Sequence, residues 1–234
     1  MDEPLIFLPG MCCDARLFAP QLAVLSRSRA VTVCPLGQAD QISRIVEDLL
    51  PHLPARFALA GLSMGGIVAM EMIRRAPDRV SRLCLMSTDA QTDTPQIAAA
   101  REPLIISARV GKLEQALGQV LRPDSLAPGP GRMSVLEVVR QMGLEAGPDQ
   151  FVRQMRALQR RPDQQGTLRR IRVPTLILCG AHDRLTPVKR HSFMADLVSD
   201  ARLMVIEEAG HLPTLETPEV VTEALQEWLA EPQR

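Results

Sequence analysis

Three polar residues stand where an apolar run of this chain gives way to a turn: Ser63 in GLSMG, Asp183 in LCGAHDRLTP and His211 in EEAGHLPTL. A serine hydroxyl is a weak nucleophile. It attacks a carbonyl only when a base takes its proton, and an imidazole serves as that base when an acid holds it in the right tautomer. Serine, aspartate and histidine are therefore the types that acyl transfer needs. Their order along the chain, Ser63, Asp183, His211, is the one that goes with a Gly-x-Ser-x-Gly turn.

The stretch FALAGLSMGGIVAMEMIRRAP reads as a buried strand, a tight turn and an amphipathic helix. A serine in such a turn takes strained backbone angles, and the glycines on either side let strand and helix approach closely. Its side chain then projects alone beyond the strand, at a helix N-terminus where free N–H groups and the helix dipole stabilise negative charge. The N–H of Met64, next in the chain, is a natural donor to an oxyanion.

The elements that must position these residues follow from the apolar runs. Strands are expected at Leu5–Leu8, Ala30–Pro35, Phe57–Leu62, Ser81–Met86, Thr175–Cys179 and Arg202–Ile206. They are short, and several are apolar without alternation, as strands covered on both faces should be. Helical patterns lie between them, roughly over Phe18–Ser26, Ala39–His52, Ser63–Ala76, Val188–Val198 and Pro218–Glu231, the last entered through Thr217 as N-cap with Pro218 at its first position. Strand and helix in alternation predict an α/β fold with a parallel sheet. Asp183 and His211 then fall just past the carboxyl ends of two strands, on the same edge as Ser63.

One region breaks the alternation. From Thr92 to Arg161 the sequence is helical and rich in Arg, Gln and Leu, interrupted by the Pro/Gly loop RPDSLAPGPGRMS. It is too long for one crossover, so residues 92–161 are expected to form a helical cap over a core made of residues 1–91 and 162–234.

Composition narrows the function. At 234 residues and 46% hydrophobic, the chain can bury a sizeable core. The 27 basic and 27 acidic residues balance, which argues against a nucleic-acid partner, and 3% aromatic content leaves little for stacking on bases or sugars. No apolar segment reaches membrane-spanning length, and the start MDEPLIFLPG lacks the pattern of a secretory signal. Five cysteines in or beside apolar runs, with no CxxC pair, suit a reduced, cytoplasmic protein. The four histidines lack metal-ligand spacing, so no metal or other cofactor is expected.

With these pieces in place the chain resembles the α/β-hydrolase fold family, in particular its small, capped bacterial esterases, lactonases and cofactor-free peroxidases. LPGMCCDARLFAPQL is similar to the family's first-strand oxyanion loop, GLSMGG to its elbow, VPTLILCGAHDRLTP to its acid turn and EEAGHLPTLETP to its histidine turn. The resemblance implies a sheet of about six strands, mostly or wholly parallel, with helices on both faces, a helical cap, and Ala30–Pro35 at an edge. It implies Ser63 as nucleophile, His211 as base, Asp183 as acid, and the N–H groups of Met11 and Met64 as oxyanion donors. The partner it implies is a small ester-like substrate, met by a monomer or homodimer. Pro9 stands where the family usually carries a histidine before the loop glycine; a backbone donor at Met11 needs no particular side chain there.

Several residues compete for these roles. Asp89, after the Ser81–Met86 strand, is a rival for the acid. His182 neighbours Asp183 but is expected to pack or face solvent, while His52 and His191 are expected on helix surfaces. Cys12 and Cys13 follow Met11 closely, with nothing to activate a thiolate. Arg101, Arg109, Arg153 and Arg156 can either clamp a substrate carboxylate or form a solvated helix face. Thioesterase, carbon–carbon hydrolase and perhydrolase chemistry use the same three residues, and a ligand receptor that retains them is the alternative of another class.

Overall fold

A computed structural model describes residues 3–37 and 39–232 of the chain. Six parallel strands form one sheet in the order β2-β1-β3-β4-β5-β6: β1 Leu5–Leu8, β2 Val31–Val33, β3 Phe57–Leu62, β4 Val80–Met86, β5 Thr175–Gly180 and β6 Ala201–Ile206. The expected strands are all present, and β2 lies at an edge as anticipated, pairing with β1 over three residues only.

The two sides of each strand meet different helices. Ile6, Leu8, Leu59, Leu83, Leu85 and Ile177 pack toward α2 (Ile42–Leu49), α3 (Met64–Arg75) and α9 (Val188–Leu197). Leu5, Phe7, Ala58, Ala60, Leu176 and Leu178 pack toward α1 (Ala19–Leu25) and α11 (Pro218–Ala230). Both faces are covered, which is why the strands read as unbroken apolar runs. Phe7 stacks on Phe18 at 4.3 Å between ring centroids, and the fully buried Trp228 donates its indole N–H to the carbonyl of Pro174. Each such side chain contributes ~2–3 kcal/mol by leaving water.

Between β4 and β5 the chain forms helices α4 (Pro95–Ala100), α5 (Glu102–Arg109), α6 (Leu113–Val120) and α7 (Arg132–Gln159), followed by the short α8 (Gln165–Leu168). The long α7 breaks at Gly147, which has a φ of 81°. Pro148 follows it, so one helical stretch ends there and another starts. A separate apolar cluster of Ile105, Ala108, Leu113, Ala116, Phe151 and Met155 holds these helices together and reaches Cys12 on the core.

The approach to α11 differs from expectation. A short helix, α10 (Pro213–Glu216), precedes it, and the Thr217 hydroxyl bonds back to the carbonyl of Pro213 instead of capping α11. Pro218 at the first position and Glu219 in the first turn supply the entry signal. No helix among the described residues is long and apolar enough to cross a membrane.

Candidate active site

Parallel connection brings every strand's carboxyl end to one edge, and the residues of interest leave from there. β3 ends at Leu62, and Ser63 follows with φ 54° and ψ −114°. That conformation lies outside the regions open to most residues. The N–H of Ser63 is held by the carbonyl of Met86 at 2.9 Å. The turn demands glycine: a Cβ at Gly65 would strike the carbonyl of Leu8, and one at Gly61 would strike that of Gly65. That absence of side chains lets β1 and the loop after it lie directly against the start of α3. Met64 is the first residue of α3, so its N–H has no acceptor within the helix. The N–H of Met11, in the turn after β1, has no acceptor among the described residues either.

His211 follows β6 and Asp183 follows β5. The Nδ1 of His211 lies 2.8 Å from Oδ2 of Asp183, and its Nε2 lies 3.0 Å from Oγ of Ser63. A carboxylate can only accept, so Nδ1 carries the proton and Nε2 is left to receive the serine hydroxyl. Asp183 is itself fixed by the N–H groups of Leu185 and Thr186 on Oδ1 and by the Thr186 hydroxyl on Oδ2. Burial pushes its carboxyl upward, but the charge and hydrogen bond of His211, with the bonds from Thr186, outweigh it and leave Asp183 below the usual carboxylate range. The three residues expected from sequence are thus brought into one hydrogen-bonded chain.

A sequence model of the alpha/beta hydrolase family matches residues 5–224. The chain belongs to the alpha/beta hydrolase family. It is 32% identical over 190 residues to a pimeloyl-[acyl-carrier protein] methyl ester esterase of Aromatoleum aromaticum, covering 73% of each protein. It is 25% identical to 3-oxoadipate enol-lactonase 2 of Acinetobacter baylyi, covering 96% of this chain and 88% of the relative. Among solved structures, a thermophilic esterase from Thermogutta terrifontis superposes with a TM-score of 0.88 at 28% identity, over 98% of this chain and 90% of that one.

The other candidates of this alpha/beta hydrolase fall elsewhere. Asp89 accepts the N–H of Gln91 and lies 3.6 Å from Arg190, engaged in its own turn. His52 and His182 are exposed, as expected. His191 is not: it is fully buried, and its Nε2 accepts the N–H of Thr88 at 3.0 Å. Burial pushes its pKa down to about 4, so the ring stays neutral as an acceptor must. Thr88 in turn donates its hydroxyl to the carbonyl of Ser63 at 2.7 Å, so His191 stands behind the serine turn and not on a surface.

The thiols are inert. Burial pushes Cys12 up to about 12 and raises Cys13 further, which removes the thiolate a nucleophile needs. Cys12 has φ 54°, and its N–H is taken by Oε1 of the buried Gln154 from α7 at 2.6 Å. Gln154 therefore holds the turn that carries Met11, a role no sequence signal marked.

A cavity of about 330 Å³ begins at Met11 and Cys12 and runs between α6 and α7, lined by Leu117, Val120, Leu121, Leu136 and Val139. None of the four arginines weighed from sequence lines it. Arg101 pairs with Asp93, Arg153 donates to the carbonyl of Gly37, Arg156 pairs with Glu102, and Arg109 borders an outer groove. The arginine at this cavity is Arg140, already engaged by Glu114 and Glu137.

Proposed function

We propose that this alpha/beta hydrolase is a serine hydrolase that cleaves a small carboxylic ester or lactone through an acyl-enzyme. Ser63 Oγ attacks the carbonyl carbon while Nε2 of His211 takes its proton, and Asp183 stabilises the imidazolium. The N–H groups of Met11 and Met64 receive the oxyanion; losing one such donor typically costs ~10²–10³ in rate. His211 then protonates the departing alkoxide, and the carbonyl–alcohol bond breaks. A water, deprotonated by His211, attacks the ester on Ser63, and collapse frees the acid and restores the hydroxyl.

The observation that carries this reading is the unbroken chain from Ser63 to His211 to Asp183, at 3.0 and 2.8 Å. The names of the relatives, an ester esterase and an enol-lactonase, support the substrate class. Residues 92–161 serve as the cap, and the apolar cavity between α6 and α7, which has Met11 and Cys12 in its lining, seats the acyl part. Five free thiols suit a reducing, cytoplasmic setting.

The test is direct. A fluorophosphonate should label Ser63 with one adduct per chain, and Ser63→Ala should lose both labelling and hydrolysis of short p-nitrophenyl esters. Full activity in Ser63→Ala overturns the reading.

A further inference from the structure

Glu216, the last residue of α10, makes a junction that the reaction scheme above does not use. Its Oε1 accepts the N–H of Leu212 at 2.8 Å, and its Oε2 accepts the N–H of Gly210 at 3.0 Å. One carboxylate thus grips the backbone on both sides of His211. The same Oε2 also accepts the N–H of Ala127 at 2.7 Å, from the loop that joins α6 to α7. That loop answers in kind, for the carbonyl of Ser125 accepts the N–H of His211 at 2.8 Å. The two segments lie flat on each other: a Cβ at Gly210 would sit 2.5 Å from Cα of Leu126 and 2.8 Å from the nitrogen of Ala127. Arg132 of α7 closes the connection by donating to the carbonyl of Ala127 at 2.9 Å.

Leu121 and Pro123, at the start of this loop, line the cavity that begins at Met11. A group that occupies the cavity therefore bears on the segment whose bonds position the histidine turn. A carboxylate suits the junction because it accepts from three donors at once, in charge-assisted bonds. A glutamine there has one acceptor oxygen, and its NH₂ would face a backbone N–H.

We propose that Glu216 is a positioning residue for His211, locking its turn to the α6–α7 loop so that Nε2 is held against Ser63 only while that loop is seated. The kinetic part of this inference rests on the hydrolase reading; the positioning part does not.

The experiment compares wild type, Glu216→Gln, Ala127→Pro and the double variant. Ala127→Pro removes the loop's donor and sets its ring where that N–H met Oε2, so the carboxylate must withdraw from the loop. The residue before it is already suited to a proline, since Leu126 is extended at ψ 156°. Extended backbone is what a residue before proline adopts. Displacing a catalytic base by a fraction of an ångström to an ångström costs up to ~10² in rate, so Glu216→Gln should lose ~10–10² in kcat on a short p-nitrophenyl ester with KM within about 3-fold. Fluorophosphonate should still titrate every folded molecule, only more slowly. Ala127→Pro should also lower kcat, and the double variant should lose no more than the more damaged single variant, because both cut one connection. Proton NMR supplies a readout independent of turnover: the downfield Nδ1–H resonance of His211 should be sharp in wild type and exchange-broadened in Glu216→Gln. An unchanged resonance and kcat in folded Glu216→Gln overturn the proposal, and losses that multiply in the double variant overturn the coupling to the loop. If Glu216→Gln does not fold, Ala127→Pro decides alone, and an unchanged kcat and resonance count against the coupling. A wild type that cleaves no ester but loses the resonance in Glu216→Gln sinks the hydrolase reading and keeps the positioning.

Discussion

His191 and Thr88 meet at 3.0 Å through the Nε2 lone pair and a backbone N–H, and the Thr88 hydroxyl continues to the carbonyl of Ser63 at 2.7 Å. The ring's other nitrogen faces the carbonyl of Pro187 at 3.4 Å. A carbonyl can only accept, which places the ring's proton on Nδ1. A buried neutral histidine therefore braces a serine held at a φ of 54°. Backbone strain of that kind persists only where surrounding contacts hold it.

This arrangement predicts an acid sensitivity of the fold. In the unfolded chain a histidine titrates near 6.5, whereas burial holds His191 at about 4 despite the opposing charges of Asp183 and Asp89. The unfolded state thus binds the extra proton first, and stability is complete above ~6.5 and falls as pH drops toward 4, by about 3 kcal/mol from this residue. Urea midpoints measured from pH 7 to 4 should show that slope in wild type and a flatter one in His191→Gln. Equal slopes would assign the sensitivity to other groups.

Two aspartates are separated by their contacts. Asp183→Asn keeps the shape of the site but favours the wrong imidazole tautomer, so kcat should fall by ~10³–10⁴ with little change in melting temperature. Asp89→Asn disturbs only a turn N–H and a long contact to Arg190, and should leave kcat within about 3-fold. The reverse outcome would move the acid to the earlier strand.

The rate should depend on pH through the base. Nε2 of His211 accepts the serine proton only when unprotonated, so kcat/KM should fall once acid protonates the ring. A stopped-flow or plate assay against pH reads it. A flat profile contradicts a histidine base.

Acyl preference should follow the cavity wall. Val139 and Leu136 line it, and both are half-buried, so substitutions there are tolerated by the fold. Val139→Trp narrows the space and should lower the ratio of kcat/KM for an octanoyl against an acetyl ester by ~10-fold, the range one or two lost apolar contacts produce. Because Arg140 is shared between two carboxylates, Arg140→Gln should not selectively raise KM for acidic esters. A selective rise would restore an arginine clamp.

Much of this site was legible in the chain itself. Ser63, Asp183 and His211 each close an apolar run, and parallel strands joined by helices deliver all such ends to one edge. Local spacing therefore determined the strands and the three chemical groups, and the family resemblance added the β2 edge. Gly-Leu-Ser-Met-Gly also announced the strained turn, since no residue with a side chain fits at position 65.

What the chain alone did not decide are the contacts across long separations. His191 is three residues before the buried Met194 on α9, but a helix pattern tells which face is covered and not what lies on it. The covering residue is Thr88, 103 positions away, and that contact turns an expected surface histidine into a neutral brace. Gln154 and Glu216 reach across 142 and 89 positions to hold Cys12 and Ala127. The arginines of residues 92–161 were open between clamp and surface until their partners, Asp93, Gly37 and Glu102, were in place. Strand ends and turns are encoded by neighbours in sequence, whereas a polar side chain acquires its role from whichever distant backbone group packing brings within about 3 Å.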